Sequence, residues 1–309
     1  MGEIQRVDID NVPPHTRRLY LQASLVALLG NALLVIGKGA AALVSGSSAL
    51  YADAANSAAD VAYSLLMGVG LWLSLQPPDP GHPHGHRRIE SLVSLFIGGA
   101  MALAGVEAVR VGWRTWVEGP QPITSIWAYI TLVATVLAKG VMFLVVRRLG
   151  QRANSPAILA SARDNLTDMI SSAMALVGIL GSVYLFAAAD PLAAFVVAAW
   201  IFYSAWAVLR ESISHLIGGA ARPELTDEVV EAAMTVPGVL DVHQVIIEYV
   251  GPQVRADMHI DMDGQLTLEQ VHAASDAVRE AVEALAEVDH AFIHVEPAHI
   301  HMPESDLQQ

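Results

Sequence analysis

The sequence predicts an α-helical membrane protein of six transmembrane helices, followed by a cytoplasmic α+β domain of order α-β-β-α-β. Three observations carry this expectation. The 309-residue chain is 54% hydrophobic and only 16% charged, with a mean hydropathy of +0.45, too apolar for an ordinary soluble domain. Six apolar stretches are long enough to cross about 30 Å of hydrocarbon at 1.5 Å per residue. After Pro223 the pattern changes to alternating and amphipathic segments, and there only Arg255 and Arg279 offset a large excess of Asp and Glu.

The spans fall near 19–44, 48–75, 89–117, 122–147, 156–187 and 191–213. They divide the chain into an N-terminal segment (1–18), a membrane domain (19–217), a cytoplasmic domain (218–302) and a flexible tail (303–309). Short loops, "SGSS" at 45–48, "EGPQP" at 118–122 and "AADP" at 188–191, carry no Lys or Arg. Arg17, Arg18, Arg87, Arg88, Arg147, Arg148, Arg152 and Arg222 lie on the opposite side. Positive charge marks the cytoplasmic side, so both termini are expected there; Arg114, near the outer end of span three, runs against the trend. Span five opens at Ser155-Pro156, a cap followed by a first-turn proline.

In the soluble part, "ELTDEVVEAAMTV" has helical periodicity, and "GVLDVHQVIIEYVG" and "PQVRADMHIDMDG" alternate like two strands joined at Gly251-Pro252. The stretch from Thr267 reads as an amphipathic helix with Thr267 as cap and Gln270 three residues on. "DHAFIHVEP" is a third strand. The order puts helices on one face of a small sheet.

Composition also excludes. With no cysteine there are no disulfides or thiolate metal sites. The net charge of −14 argues against a nucleic-acid partner. "MGEIQRVDID" lacks the charged region and cleavage site of a signal peptide.

The informative anomaly is polar residues inside spans. "ADAANSAAD" (52–60) and "ARDNLTD" (162–168) place Asn56 and Asp60, and Asp164 and Asp168, at i, i+4 on one helix face each. In both spans the pairs lie about 12 and 18 Å in from the start, the middle third of the bilayer. An ionisable group there is costly and is by default a functional hypothesis; the other reading is a structural polar cluster in which Asn caps the acids by hydrogen bonds. Three carboxylates cannot all ionise in low dielectric without compensation, so protons or a metal are expected among them. Asp53, on the same face nearer the outer mouth, reads either as an exit-path acid or as a first-turn acid favoured by the helix dipole. Arg163 points about 100° away from Asp164 and reads as an interfacial or interhelical charge partner.

This layout resembles the cation diffusion facilitators, bacterial divalent-metal/proton antiporters, over nearly the whole chain. "SALYADAANSAAD" looks like the family's span-two motif, "ARDNLTD" like its span-five motif, and "GHPHGHRRIESL" like its loop and the start of span three. The resemblance implies six spans, a ferredoxin-like, metallochaperone-like cytoplasmic domain, a homodimer, and a bacterial cytoplasmic (inner) membrane location. It implies no enzyme and no catalytic cofactor: the divalent cation is substrate, and protons are the counter-ion. Asn56, Asp60, Asp164 and Asp168 would be the transport ligands. This all-oxygen set is similar to that of the family's manganese exporters and suits Mn²⁺ by ligand hardness, with Fe²⁺, Co²⁺ and Zn²⁺ as alternatives.

Asp79, His82 and His86 match the family's loop site, with His84 an additional imidazole; a solvated Pro/Gly-rich turn is the other reading. His243, His259, His272, Asp276, His294 and Glu296 stand at positions similar to the family's cytoplasmic metal sites, although the family often has Asp at the position of Glu296. His259 and Asp261 share a strand face, as do His294 and Glu296; His299 and His301 are weaker candidates. Many family members carry an acid after span six that pairs with a basic residue at the start of span three; here Arg88 is present but Gly219 stands in the acid's place. Two readings of another class, a membrane-embedded metalloenzyme and a membrane-anchored sensor, lack a hydrolytic motif in the first case and leave the buried quartet without a role in the second.

Overall fold

The computed structural model describes residues 14–45, 48–77, 79–82, 85–119, 126–186 and 188–298. The chain divides into two compact units at Ile213/Ser214. The first contains α1 (Pro14–Ser45), α2 (Ser48–Ser74), α3 (Arg88–Glu118), α4 (Ile126–Ala153), α5 (Pro156–Tyr184) and nearly all of α6 (Ala189–Leu216). Among the described residues five of these, α1, α2, α3, α4 and α6, are long and apolar enough to cross a membrane. The 29-residue α5 is long enough but polar in its first half.

Each helix shows two faces. On α1, Leu21, Leu25, Leu29, Leu33 and Ile36 form an exposed stripe, whereas Tyr20, Ala23, Ala27, Asn31, Leu34, Lys38 and Ala41 are buried. On α4, Leu137, Val141 and Leu144 are exposed, and Thr131, Thr135, Lys139, Met142 and Val146 are buried. In a bilayer the exposed stripes meet acyl chains, and the buried stripes carry the polar side chains inward. α1 packs along α2 and α4, α4 packs along α5, and α2 reaches α5, so these four helices surround a common interior.

α3 joins α6 along a glycine seam. Gly98, Gly105 and Gly112 recur every seven residues, and an added Cβ would meet Leu209 at 3.0 Å, Phe202 at 3.0 Å and Ala194 at 3.1 Å. The large α6 side chains Leu209, Phe202 and Phe195 thus fill the space that the glycines leave on α3.

Helix ends follow local chemistry. Ser155 accepts the Ile158 N–H at 3.2 Å with Pro156 in the first turn of α5. α4 continues to Ala153, past the expected end at 147, because Arg147, Arg148 and Arg152 are good helix formers. α6 closes with Gly218 at φ +72° and the Gly219 N–H bonded to the Ser214 carbonyl at 2.7 Å, a Schellman ending. A Cβ at Gly219 would collide with the Ser214 side chain and stand 3.0 Å from its carbonyl oxygen. A side chain at this position therefore requires this helix ending to shift.

The second unit has α7 (Pro223–Met234), β1 (Asp241–Val250), β2 (Gln253–Met262), α8 (Leu268–Glu283) and β3 (Val288–Pro297). The sheet order is β1-β2-β3; β1 is antiparallel to β2, and β3 returns parallel to β2 after α8. Leu225, Val229 and Ala233 of α7 and Val278 and Val282 of α8 cover Ile247, Val254, Ala256, Met258, Ile260 and Met262. The Thr267–Gln270 capping box forms as expected. β1 begins at Asp241, three residues later than the pattern suggested, because residues 236–240 form a turn around Gly238 at φ +96°.

Candidate functional site

The interior of the membrane unit holds an acid cluster. Asp60 projects from α2, and Asp164 and Asp168 from α5. Lys139 of α4, 1% exposed, places its Nζ 2.9 Å from Asp60 Oδ2 and 2.6 Å from Asp168 Oδ2. Acids from two different helices therefore meet at one cation. Asn31 of α1 ties this region to α1: its Nδ2 donates to Ser64 Oγ at 2.9 Å and to the Asp60 carbonyl at 3.4 Å, and Ser64 Oγ donates to the same carbonyl at 2.8 Å. Asp60 and Asp164 also line a cavity of about 10 Å³ together with Asn31, Tyr63, Ser64, Met67, Ile97, Ala100 and Ser161, the scale of one water molecule.

The side chains of Asn56 and Asp53 lie outside the described residues, as do His84, His299 and His301. The α2 backbone is helical through both Asn56 and Asp53, so Asn56 stands one turn before Asp60. Arg163 pairs with Glu211 of α6 at 2.6 Å, the interhelical partnership that its direction predicted.

The expectation that only protons or a metal would compensate the acids needs correction. Lys139 supplies a fixed cation, and the reading of the acids alone overlooked it. Its signal was present: Thr131, Thr135, Lys139, Met142 and Val146 recur at helical spacing on one buried face. Lys38, 5% exposed on α1, escaped in the same way, as did Glu90 at the start of α3, which is 1% exposed and accepts the Tyr20 hydroxyl at 2.6 Å.

The loop cluster forms. Asp79 Oδ1 accepts the backbone N–H of Gly81 at 2.8 Å and of His82 at 2.7 Å. His82 Nδ1 lies 3.2 Å from Asp79 Oδ1, and His86 Nε2 lies 3.4 Å from Oδ2. The His82 N–H, followed by the Gly81 N–H and the His82 ring, holds the Asp79 carboxyl below its ordinary range. Donor atoms of the three residues fall within 4.8 Å of one another, and His86 Nδ1 is buried with no hydrogen-bond partner among the described residues.

The cytoplasmic-type domain gathers four of its six expected residues on the sheet face opposite the helices. His243, His259 and His294 stand abreast on β1, β2 and β3. Glu296 binds this row: His259 Nδ1 lies 2.9 Å from Oε1, His243 Nε2 3.5 Å from Oε2, and His294 Nε2 3.5 Å from Oε1. The hydrogen bond from His259, then the imidazole charges, hold the Glu296 carboxyl below its ordinary value. Asp261, 6% exposed, stands in the next row between Asp241 and Glu296, and its Oδ1 is 3.9 Å from His243 Nδ1. His272 and Asp276 do not join the cluster. They pair with each other at 3.5 Å on an exposed face of α8, where Arg279 also meets Asp276 at 3.1 Å.

Residues 24–217 match the family described as "Cation efflux transmembrane domain", and residues 221–298 match "Cation efflux protein, cytoplasmic domain". The chain belongs to the cation efflux family. This cation efflux protein is 30% identical over 256 residues to magnetosome protein MamB of Paramagnetospirillum magneticum, covering 83% of this chain and 86% of that one. It is 28% identical over 269 residues to the manganese efflux system protein MneP of Bacillus subtilis, covering 84% and 90%. The solved fragment MamM-CTD 215-293 is 35% identical to the part it covers, 24% of this chain and 95% of that fragment, with a TM-score of 0.24. The family is one of multi-pass membrane transporters, and this cation efflux protein carries its helical membrane domain and its sheet-containing cytoplasmic domain.

Proposed function

We propose that this protein exports a divalent metal, foremost Mn²⁺, from the cytoplasm in exchange for protons, at a site made of Asn56, Asp60, Asp164 and Asp168. The observation that carries the reading is the meeting of Asp60 and Asp168, from α2 and α5, at one nitrogen. A point in the bundle that two carboxylates already address is a point where a dication can be held. Asp164, which shares the cavity with Asp60, and Asn56, one turn from Asp60, complete an oxygen-only set that favours Mn²⁺ over the softer zinc. The name of MneP supports the same metal.

The acid-rich interior also suits proton exchange. A dication neutralises carboxylates that otherwise compete for protons, and the set titrates as a unit. Alternating access then follows from a tilt of α2 and α5 against the remaining helices. Both termini face the cytoplasm by the arginine bias, and the protein works as a homodimer, consistent with the ZT_dimer name of its cytoplasmic-domain family. The loop cluster and the sheet cluster serve as accessory metal sites on the cytoplasmic side.

The test is metal uptake into proteoliposomes, comparing Mn²⁺, Fe²⁺, Co²⁺ and Zn²⁺ with and without an opposing pH gradient. Mn²⁺ uptake that needs the gradient and is lost in Asp60→Ala is expected. Zn²⁺ transport in preference to Mn²⁺, or transport indifferent to pH, would overturn the metal or the coupling respectively.

A further inference from the structure

We propose that Lys139 is a tethered competitor for the transport site: its ammonium neutralises Asp60 and Asp168 whenever no dication lies between them, and yields those oxygens when one does. The proposal rests on the reading of Asp60 and Asp168 as transport ligands and concerns what sets their affinity and selectivity.

The geometry is specific. Lys139 comes from a third helix, α4, and bridges acids on α2 and α5 at 2.9 and 2.6 Å. Being 1% exposed, its ammonium cannot reach water by snorkelling, the usual behaviour of a lysine in a span. It uses one oxygen of each acid, and a dication bound by both acids would need the same region of space. Two cations sharing two carboxylates repel, so entry of one moves the other.

The side chain has somewhere to go. Helical side chains lean toward the helix N-terminus. One turn that way on the same buried face stands Thr135, 3% exposed, with Thr131 a further turn beyond at 7%. This hydroxyl stripe can receive an ammonium without exposing it to lipid. The flexible four-carbon stem of lysine permits such a swing, whereas the planar fork of arginine does not substitute for it freely.

Two consequences separate this role from a structural one. A tethered ammonium is present at high effective concentration, so a free monovalent cation cannot displace it, while a dication with twice the charge can. Lys139 thereby rejects Na⁺ and K⁺. It also weakens the hold on the dication and assists its release by returning to the acids as the metal leaves. Removing the charge should tighten binding and slow turnover together, whereas a variant with disturbed packing loses both affinity and rate.

The experiment uses the full chain in proteoliposomes and Mn²⁺ uptake. Lys139→Met is expected to lower the apparent KM by about tenfold while kcat falls by a similar factor, and its uptake becomes inhibited by K⁺, to which the parent protein is indifferent. An unchanged or raised KM without K⁺ inhibition, with Asp60→Ala inactive, overturns the role of Lys139 and leaves the transport site standing. An active Asp60→Ala removes the site itself. Because the chain has no cysteine, Lys139→Cys gives a second handle if the methionine variant does not fold. Aminoethyl methanethiosulfonate restores a cation there and should return KM and K⁺ resistance toward the parent values, whereas the neutral methyl reagent should not; equal effects of the two reagents contradict the proposal.

Discussion

The acid cluster between α2 and α5 and the imidazole cluster on the sheet both assemble acid and base from separate elements, yet they follow different rules. In the membrane unit, two aspartates, Asp60 and Asp168, share one nearly inaccessible lysine. On the sheet, three histidines share one partly exposed glutamate. The first cluster exists where charge is costly, so each member must be compensated and is hard to remove. The second sits at a solvated surface, where each contact contributes little alone and the cluster acts chiefly by what it can bind. In the proposed function only the first cluster holds the transported ion.

The largest difference is expected on removing one acid from each. Asp168→Ala leaves Lys139 buried with one carboxylate, Asp60; it should abolish Mn²⁺ uptake and lower stability by about 1.5–3 kcal/mol, read by proteoliposome flux and by thermal melting in detergent. His259→Ala should leave the helical bundle intact and transport within a few-fold of the parent, while one equivalent of metal bound by the full chain in calorimetry disappears. Comparable transport losses in both variants would erase the distinction.

A smaller effect concerns acid. The Glu296 carboxyl is held below its ordinary value of 4.5 by the hydrogen bond from His259 and then by the neighbouring imidazole charges. A depressed carboxyl stabilises the fold fully above its unfolded value and loses that contribution as pH falls through the lower folded value. The melting temperature of the cytoplasmic domain in the full chain should therefore begin to decline below about pH 4.5, and Glu296→Gln should flatten the decline. The smallest effect belongs to Arg163→Ala. Its pair with Glu211 is more than a third exposed on both sides, so a loss of about 0.5 kcal/mol is expected from double-mutant melting with Glu211→Ala.

These contrasts also explain what the chain disclosed before its structure. Asp60, Asp164 and Asp168 stood out because acids in apolar runs have few innocent explanations. Lys139 did not, because a lone lysine in a span is commonly read as snorkelling; only its place on the Thr131–Thr135–Met142–Val146 stripe betrayed an inward direction. The six long helices, five of them apolar enough to cross a membrane among the described residues, and the α-β-β-α-β order were legible from period and length. The gathering of His243, His259, His294 and Glu296 was not, since it depends on the parallel pairing of β2 with β3 and on the bulge between His243 and Ile246, where Gln244 takes φ +49°. Strand register over such separations is a tertiary outcome. His272 and Asp276 look equally suitable in sequence but sit on α8, which covers the other face of the sheet.

The most direct check of where the metal sits is Mn K-edge X-ray absorption on the full chain with His82, His86, His243 and His259 replaced by alanine. One bound Mn²⁺ with an oxygen-only shell, absent after Asp60→Ala and Asp168→Ala are added, is the predicted result. Imidazole scattering, or an unchanged signal after both aspartates are removed, would contradict a dication held between α2 and α5.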